Sequence, residues 1–322
     1  MLTNSNVSKV ASAEEYVDIK KYIGVGSVSI VAINPNNAKL KEFGWTIPDG
    51  AAEPSYAYNK DQNVSGRVRF LVRLEELEAK PVVAMDFFIR PEIRMTGKEG
   101  DPERKCQILD SYGNSAYATK AEFTSHKIPQ YSNGPAKIAS NYKACHIGEA
   151  ELVQFLMKFL NITPLQKFDR VKNAWIDNKN PGELTIDHWD KLCAGDASEI
   201  AEYVACRPDN RVKVIFGVRS NEDNRSWQTF LSTLFLGNGA FTDKTTGLYS
   251  NAQTAIDKYM DRLNPESPTT FSFSASPVHE WVITASSPAE STDDSVEVAG
   301  ADEDMPDFDA PSVEDDESSL PF

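Results

Sequence analysis

Three separate segments of this chain alternate apolar and polar residues with period two. That pattern commits each to a half-buried strand, because successive side chains of an extended backbone point to opposite faces. In the first, Val68, Phe70, Val72 and Leu74 share one face while Arg67, Arg69 and Arg73 share the other. In the second, Val83, Met85, Phe87 and Ile89 oppose Asp86, Phe88 and Arg90. In the third, Val212, Val214, Phe216 and Val218 oppose Arg211, Lys213 and Arg219. The fold class expected from them is mainly β with α insertions (α+β).

Shorter strands are expected at Ser27–Ile33, closed by the turn residues Asn34-Pro35-Asn36-Asn37, and at Arg104–Leu109 and Ser115–Phe123 around Tyr112-Gly113-Asn114. Trp227–Phe235 reads as a further strand, and a pair at Phe271–Ser274 and Glu280–Thr284 would close the body. Residues 34–65 read mainly as loop, with room for one short strand near Trp45. Where the period changes, helices are expected. Leu152, Phe155, Leu156, Phe159 and Leu160 make Glu149–Leu160 amphipathic, with acids in its first turn. Further helices are expected at Glu14–Ile23, ended by Gly24 and Gly26, and at Ile186–Leu192, Ala197–Ala205 and Asn251–Leu263.

Charge is distributed unevenly. The chain carries 33 Lys and Arg against 48 Asp and Glu, a formal charge of -15. Residues 286–322 hold 13 of those acids and no Lys or Arg, so the other 285 residues carry 33 basic against 35 acidic groups, a charge of -2. That last segment is rich in Ser, Asp, Glu and Pro. It lacks the apolar surface to offset its ordering entropy, and disorder is expected there. The organisation expected is an arm at 1–25, a body at 26–285 with a helical insertion around 148–205, and an acidic tail at 286–322. No apolar run reaches the ~18–20 residues of a membrane span. The polar start Met1–Ala13 lacks the basic and apolar regions of a secretory signal, so a cytoplasmic protein with no membrane partner is expected. Cys106, Cys145, Cys193 and Cys206 form no CxxC pair and are expected as reduced, buried thiols.

The polar faces of the strands are the leading candidates for function. Arg67, Arg69 and Arg73 on one strand and Arg211, Lys213 and Arg219 on another, with Phe88 and Arg90 on a third, suggest a basic surface with an aromatic group set into it. Cations that follow phosphates, with rings on which bases stack, are the means by which single-stranded nucleic acid is held without sequence preference. The competing reading is an ordinary solvated face whose arginines pair with acids on neighbouring elements. The segment Arg90–Lys105 adds Arg94, Lys98, Arg104 and Lys105 on a near-neutral loop that reads equally as a flap over a groove or as a surface hairpin. Tyr112, Tyr117, Lys120, Lys127 and Tyr131 are further candidate stackers and phosphate contacts, as are Arg225 and Trp227 beyond the Asn221–Asn224 turn.

Enzyme chemistry finds little footing. The four histidines have no H-E-x-x-H spacing, no serine sits in G-x-S-x-G, and neither a dinucleotide fingerprint nor a G-x-x-x-x-G-K-[ST] phosphate loop is present. Cys145-His146 would need distant partners to hold a metal. The carboxylate pairs Glu75-Glu76 and Asp187/Asp190 read as surface groups. Neither catalysis nor a cofactor nor a metal is expected.

The chain ends Glu314-Asp315-Asp316-Glu317-Ser318-Ser319-Leu320-Pro321-Phe322. An acidic tail closing on Pro-Phe, together with the basic strand faces, resembles the single-stranded-DNA-binding (helix-destabilising) proteins of replication, of the phage type. The resemblance implies an oligonucleotide-binding (OB-fold) barrel with strands at 66–74, 81–90 and 104–123, a helical segment, then strands at 211–219 and 227–235. It also implies that the protein coats single-stranded DNA in replication, recombination and repair, in a host cytoplasm if phage-encoded. The tail would compete for the DNA groove, and Asp315, Asp316, Glu317, Leu320, Pro321 and Phe322 would dock a polymerase, helicase or recombinase. The alternative is a protein-interaction or virion component that binds no nucleic acid.

Overall fold

The computed structural model describes most of residues 20–282; residues 1–19, 57–65, 123–128, 136–141, 178–183 and 283–322, with shorter stretches between, lie outside the described residues. In chain order the strands are β1 (Lys20–Ile33), β2 (Gly66–Leu74), β3 (Val82–Ile89), β4 (Met95–Thr96), β5 (Lys105–Asp110), β6 (Ser115–Ala118), β7 (Pro129–Gln130), β8 (Gly134–Pro135) and β9 (Tyr142–Ala144). They continue as β10 (Gln166–Asp169), β11 (Ala174–Asp177), β12 (Val212–Ser220), β13 (Ser226–Phe230), β14 (Thr270–Phe273) and β15 (His279–Val282). The helices are α1 (Asn37–Glu42), α2 (Glu149–Leu160), α3 (Ile186–Cys193), α4 (Ser198–Ala205) and α5 (Ser250–Met260).

The main sheet is antiparallel, in the order β13-β12-β1-β2-β3, with β14 added to β12 and β15 to β1. It curls into a nearly closed barrel. Phe87 of β3 lies 5.1 Å from Phe230 of β13, so the two ends of the row meet through their rings. The three alternating segments face as their pattern requires. Val68, Phe70, Val72 and Leu74, then Met85, Phe87 and Ile89, then Val212, Val214 and Phe216 fill one interior core. Helix α2 packs on β3 and β12, α3 on β2 and α4 on β1, and Phe155 of α2 sits 5.1 Å from Phe70 and 5.4 Å from Phe87.

Several expectations need correction. Lys20–Ile23 is strand rather than helix: β1 runs through both glycines, pairs with β12 from Gly24 and with β15 over Lys20–Ile23, and buries Tyr22 in the core. Gly24 permits this with φ +127, and a Cβ there would lie 2.5 Å from the Pro277 carbonyl oxygen. Near Trp45 there is no strand; the short helix α1 precedes it, capped by the Asn36 side chain, which accepts from Lys39 N. The 104–123 pair does not join the barrel. It forms a separate sheet, β4-β5-β6 with β9 on β5, so the first three barrel strands are β1, β2 and β3. Finally, β14 and β15 do not pair with each other. The turn between them crosses the sheet, with Val25 N donating to Ser276 O and Val278 N to Val25 O, and each strand extends a different neighbour. The helical insertion is also interrupted by the β10–β11 hairpin. Of the cysteines, Cys106, Cys145 and Cys193 are buried and Cys206 is exposed; all four are free thiols. Burial pushes the Cys106 thiol up to about 11. No helix among the described residues is long and apolar enough to cross a membrane.

A buried ionic network joins the small sheet to the barrel. Glu149, the first residue of α2, is fully buried and ion-paired with Lys143 of β9, which also reaches Asp190 of α3. His146 N donates to Glu149 Oε2 at 3.1 Å and the Cys193 thiol faces Oε1. Asp190 lies at the surface, as expected, and from there closes the network through Lys143. Burial alone would raise the Glu149 carboxyl, but the hydrogen bonds and charge from His146 and Lys143 outweigh it and hold it below the ordinary value. Burial would lower Lys143, and its two carboxylates outweigh that in the same way, raising it. A depressed carboxyl stabilises fully above its unfolded value of ~4.3 and loses that contribution as pH falls through the folded value. A raised lysine stabilises fully below ~10.4 and loses it as pH rises through its folded value. Removing one partner of a buried pair costs about 3–5 kcal/mol. Glu149→Gln is therefore expected to lower stability by about that amount at pH 7 and to flatten the acid side of the stability curve, as urea unfolding at pH 7 and pH 4 will show; an unchanged midpoint contradicts it.

Candidate nucleic-acid interface

The register fixes which side chains share the outer face of the barrel. Directly opposed residues of paired strands project to the same side. Arg67 is opposite Phe88, Arg69 opposite Asp86 and Leu71 opposite Ala84. Arg73 is opposite Ser29, and Ser27 is opposite Lys213, so this face continues from β3 across to β12. Part of it is covered. Val25 and Ile215 are buried there beneath Ala252 and Ile256 of α5 and Leu231 and Leu236 of the segment after β13. The part over β2 and β3 carries the candidate site.

Phe88 is 48 % exposed although its backbone is tightly held. β3 pairs with β2 on one side, and Gly148 packs against the Phe88 carbonyl so closely that a Cβ would lie 2.0 Å from it. Gly148 has φ +88, and only glycine meets both demands. Arg67, across from Phe88, places its guanidinium 5.8 Å from the Tyr56 ring centre. Tyr56 is fixed in turn: its hydroxyl donates to Pro35 O at 2.6 Å and its carbonyl accepts from Arg67 N at 3.0 Å. The result is a ring, guanidinium, ring row, Tyr56–Arg67–Phe88. Tyr56 carried no sequence signal, because its place depends on how the 34–56 loop folds back on β2.

Asp86 accounts for much of the positive charge. Arg69 binds it through two hydrogen bonds, Nε to Oδ1 at 2.8 Å and Nη2 to Oδ2 at 2.7 Å, and Arg67 lies 3.9 Å away. The Arg73 side chain has no ion-pair or hydrogen-bond partner among the described residues. Arg211, just before β12, pairs with Glu75 at 3.5 Å, and Lys213 of β12 sits 4.0 Å from Glu76 and 5.3 Å from the Tyr249 ring centre. Both acids serve as ion-pair partners: Glu76 is exposed, as expected of a surface group, whereas Glu75 is largely covered. The Ser29 hydroxyl, then Lys80 and Arg211, hold the Glu75 carboxyl below its ordinary value.

The remaining candidates fall in other places. Arg90 leaves β3 with its N–H donating to Ile147 O. Arg94, Arg104, Lys105 and Tyr117 belong to the small sheet or its edge. Arg94 ion-pairs with Glu151 at 3.0 Å, and Tyr117 is 37 % exposed. Burial raises the Tyr117 phenol, against the opposing charge of Arg94. Arg219 and Trp227 lie opposite each other at the β12–β13 end, with the guanidinium 5.6 Å from the indole. Lys98, Tyr112, Lys120, Lys127, Tyr131 and Arg225, and the tail residues Asp315, Asp316, Glu317, Leu320, Pro321 and Phe322, lie outside the described residues. Among the described residues no cluster of His, Cys, Asp and Glu is arranged to hold a metal ion.

The chain matches no protein-family model, no curated protein and no solved structure.

Because Phe88 projects outward while its neighbour Phe87 lies in the core, the two truncations should separate cleanly. Phe88→Ala is expected to change unfolding free energy by under about 1 kcal/mol, and Phe87→Ala to cost about 3–5 kcal/mol. Urea denaturation of both variants measures this; equal losses would mean that Phe88 is held for stability.

Proposed function

We propose that this protein binds single-stranded DNA without catalysis, as a coating protein in replication, recombination or repair, and that its barrel is of the oligonucleotide-binding type. The observation that carries the reading is the Tyr56–Arg67–Phe88 row beside Arg69 and Arg73 on the outer face of β2 and β3. That face, with the loops after the first and fourth strands, is where such barrels bind oligonucleotides. The strand order β13-β12-β1-β2-β3, with β1 shared between β2 and β12 and α2 following β3, supports that barrel type. Phosphates would take the guanidinium groups, and bases would stack on the exposed ring of Phe88 at about 1–3 kcal/mol each.

In this reading Asp86 sets the affinity. Its carboxylate occupies the guanidinium fork of Arg69, the same fork that a phosphate would take bidentately. DNA must displace or share that contact. The acidic tail at 286–322 extends the proposal: 13 carboxylates on one segment could occupy the same face when DNA is absent, and its Leu320-Pro321-Phe322 end would dock a replication or recombination protein. The ion pairs of Arg69, Arg211 and Lys213 with acids are the observation that favours the alternative, a protein-interaction or virion component.

Binding of end-labelled oligo-dT, followed by fluorescence anisotropy, tests the reading. The full chain is expected to bind with a steep salt dependence, and a chain ending at residue 285 to bind more tightly. Absence of binding by that shortened chain at low salt would sink the proposal. Phe88→Ala is expected to weaken binding by about 1–3 kcal/mol, and Asp86→Asn to tighten it and steepen the salt dependence. If Asp86→Asn binds no better than the unaltered chain, Asp86 has no such role.

A further inference from the structure

A second ring, guanidinium, ring row stands at the other end of the same face. Arg219 of β12 is directly opposite Trp227 of β13 on one side and directly opposite Phe271 of β14 on the other. The three side chains therefore form a lateral row across three adjacent strands. Residue parity along β12 places Arg219 on the face of Lys213 and Ile215, which is the face that carries Arg67, Arg69 and Phe88. The row is equivalent in composition to Tyr56–Arg67–Phe88, yet it is built from different elements, one of which, β14, joins the sheet only where β1 turns away to pair with β15.

The row is braced from behind. The Phe271 ring stacks parallel to Phe273, with centres 6.2 Å apart and planes 6° from parallel, and Tyr259 of α5 meets both edge-on at 5.6 Å. Phe273 lies so close on the β12 backbone that a Cβ on Gly217 would be 2.4 Å from its ring. The aromatic ladder thus runs from the packed cluster under α5 outward to Trp227, which is 38 % exposed with its indole over the Arg219 guanidinium. A rigid ring beside a cation loses little freedom when a base stacks on it, and the guanidinium is placed for the adjoining phosphate.

We infer that Trp227, Arg219 and Phe271 form a second stacking subsite for the same single strand, separate from the one at Phe88. The inference rests on the reading of the barrel as a single-stranded DNA binder. Likeness of composition supports the occupant, since each row sets an exposed ring beside a guanidinium; between them α5 and the 231–236 segment cover Val25 and Ile215, so a strand that reaches both rows passes around that cover. The rows lie toward opposite ends of β1, since Gly24 faces Phe216 near one and Ile33 faces Phe70 near the other. A short oligonucleotide can therefore fill one subsite only, whereas a longer one reaches both.

The test uses the full chain with end-labelled dT oligomers of about 6 and about 20 nucleotides, read by anisotropy, with site sizes of that order set by the span of such grooves. Trp227→Ala and Phe271→Ala are each expected to weaken binding of the longer oligomer roughly tenfold and to leave the shorter one unchanged. Trp227→Phe, which keeps a ring, is expected to retain most of the affinity. Thermal melts of each variant exclude loss of folding, and Trp227, being exposed, is the substitution least able to cause it. Unchanged binding of the longer oligomer by both alanine variants overturns the inference while leaving the Phe88 site standing. Equal weakening for both oligomers overturns the separateness of the two subsites. If the unaltered chain and its form ending at residue 285 bind neither oligomer, the broader reading fails, and this one fails with it.

Discussion

The structure depends on one long strand. β1 is 14 residues long and is the common edge of both halves of the barrel: β2 and β3 hang from its second half, and β12, β13 and β15 from its first. An extended segment of that length cannot stay straight and also close a small barrel, so it must shift register and bend. A bulge between Ile30 and Ala32 does this against β2. Gly24 does it at the other end, where the chain adopts a φ of +127 and the 276–278 turn lies directly on its backbone. Without that bend β12 and β2 could not both face the same core, and Phe87 and Phe230 could not meet.

Closure around that core has a second effect, on the outside. Since the interior takes every apolar residue of the alternating set, the outer face takes every arginine, and its fate then varies with what lies above it. Over β1 and β12, α5 and the 231–236 segment cover it with a small apolar cluster of their own. Over β2 and β3 the face carries an exposed phenylalanine next to arginines. The tension between these arginines and their acids is unequal. Arg69 is held in both prongs by Asp86, whereas Arg73 has no such partner among the described residues. A bidentate carboxylate has the geometry of a phosphate, so the site that would take nucleic acid already holds a substitute for it.

Much of the fold was legible in the residues. The faces of 66–74, 82–89 and 212–218 follow from alternation alone, and α2 spans the same Glu149–Leu160 that its apolar spacing marks. The misread elements share one cause. Lys20–Ile23 has the composition of a short amphipathic helix, but its neighbours in space, β15 and β12, lie some 190 to 260 residues away and carry the deciding hydrogen bonds. The 104–118 hairpin alternates well enough to belong to any sheet; it is drawn into a separate one because Cys145 and Arg94 pair with its backbone at Gln107. For the candidate site, Arg67, Arg69, Arg73 and Phe88 were visible as a face. Tyr56 and Phe271, which complete the two rows, were not, since nothing in their local sequence distinguishes them from packing residues.

What the sequence alone determined is which side of each strand is apolar, and that the acids of 286–322 are set apart from a body of charge -2. Both are properties of consecutive residues, and a period of two or a run of like charges needs no partner to exist. What only the tertiary structure decided is who stands opposite whom: Asp86 beside Arg69, Phe88 beside Arg67, Trp227 and Phe271 on either side of Arg219. Register and strand order come from closing the sheet around one core, and a shift of a single residue would send each of those side chains to the other face. The chemistry of the surface is therefore set by the packing of the interior.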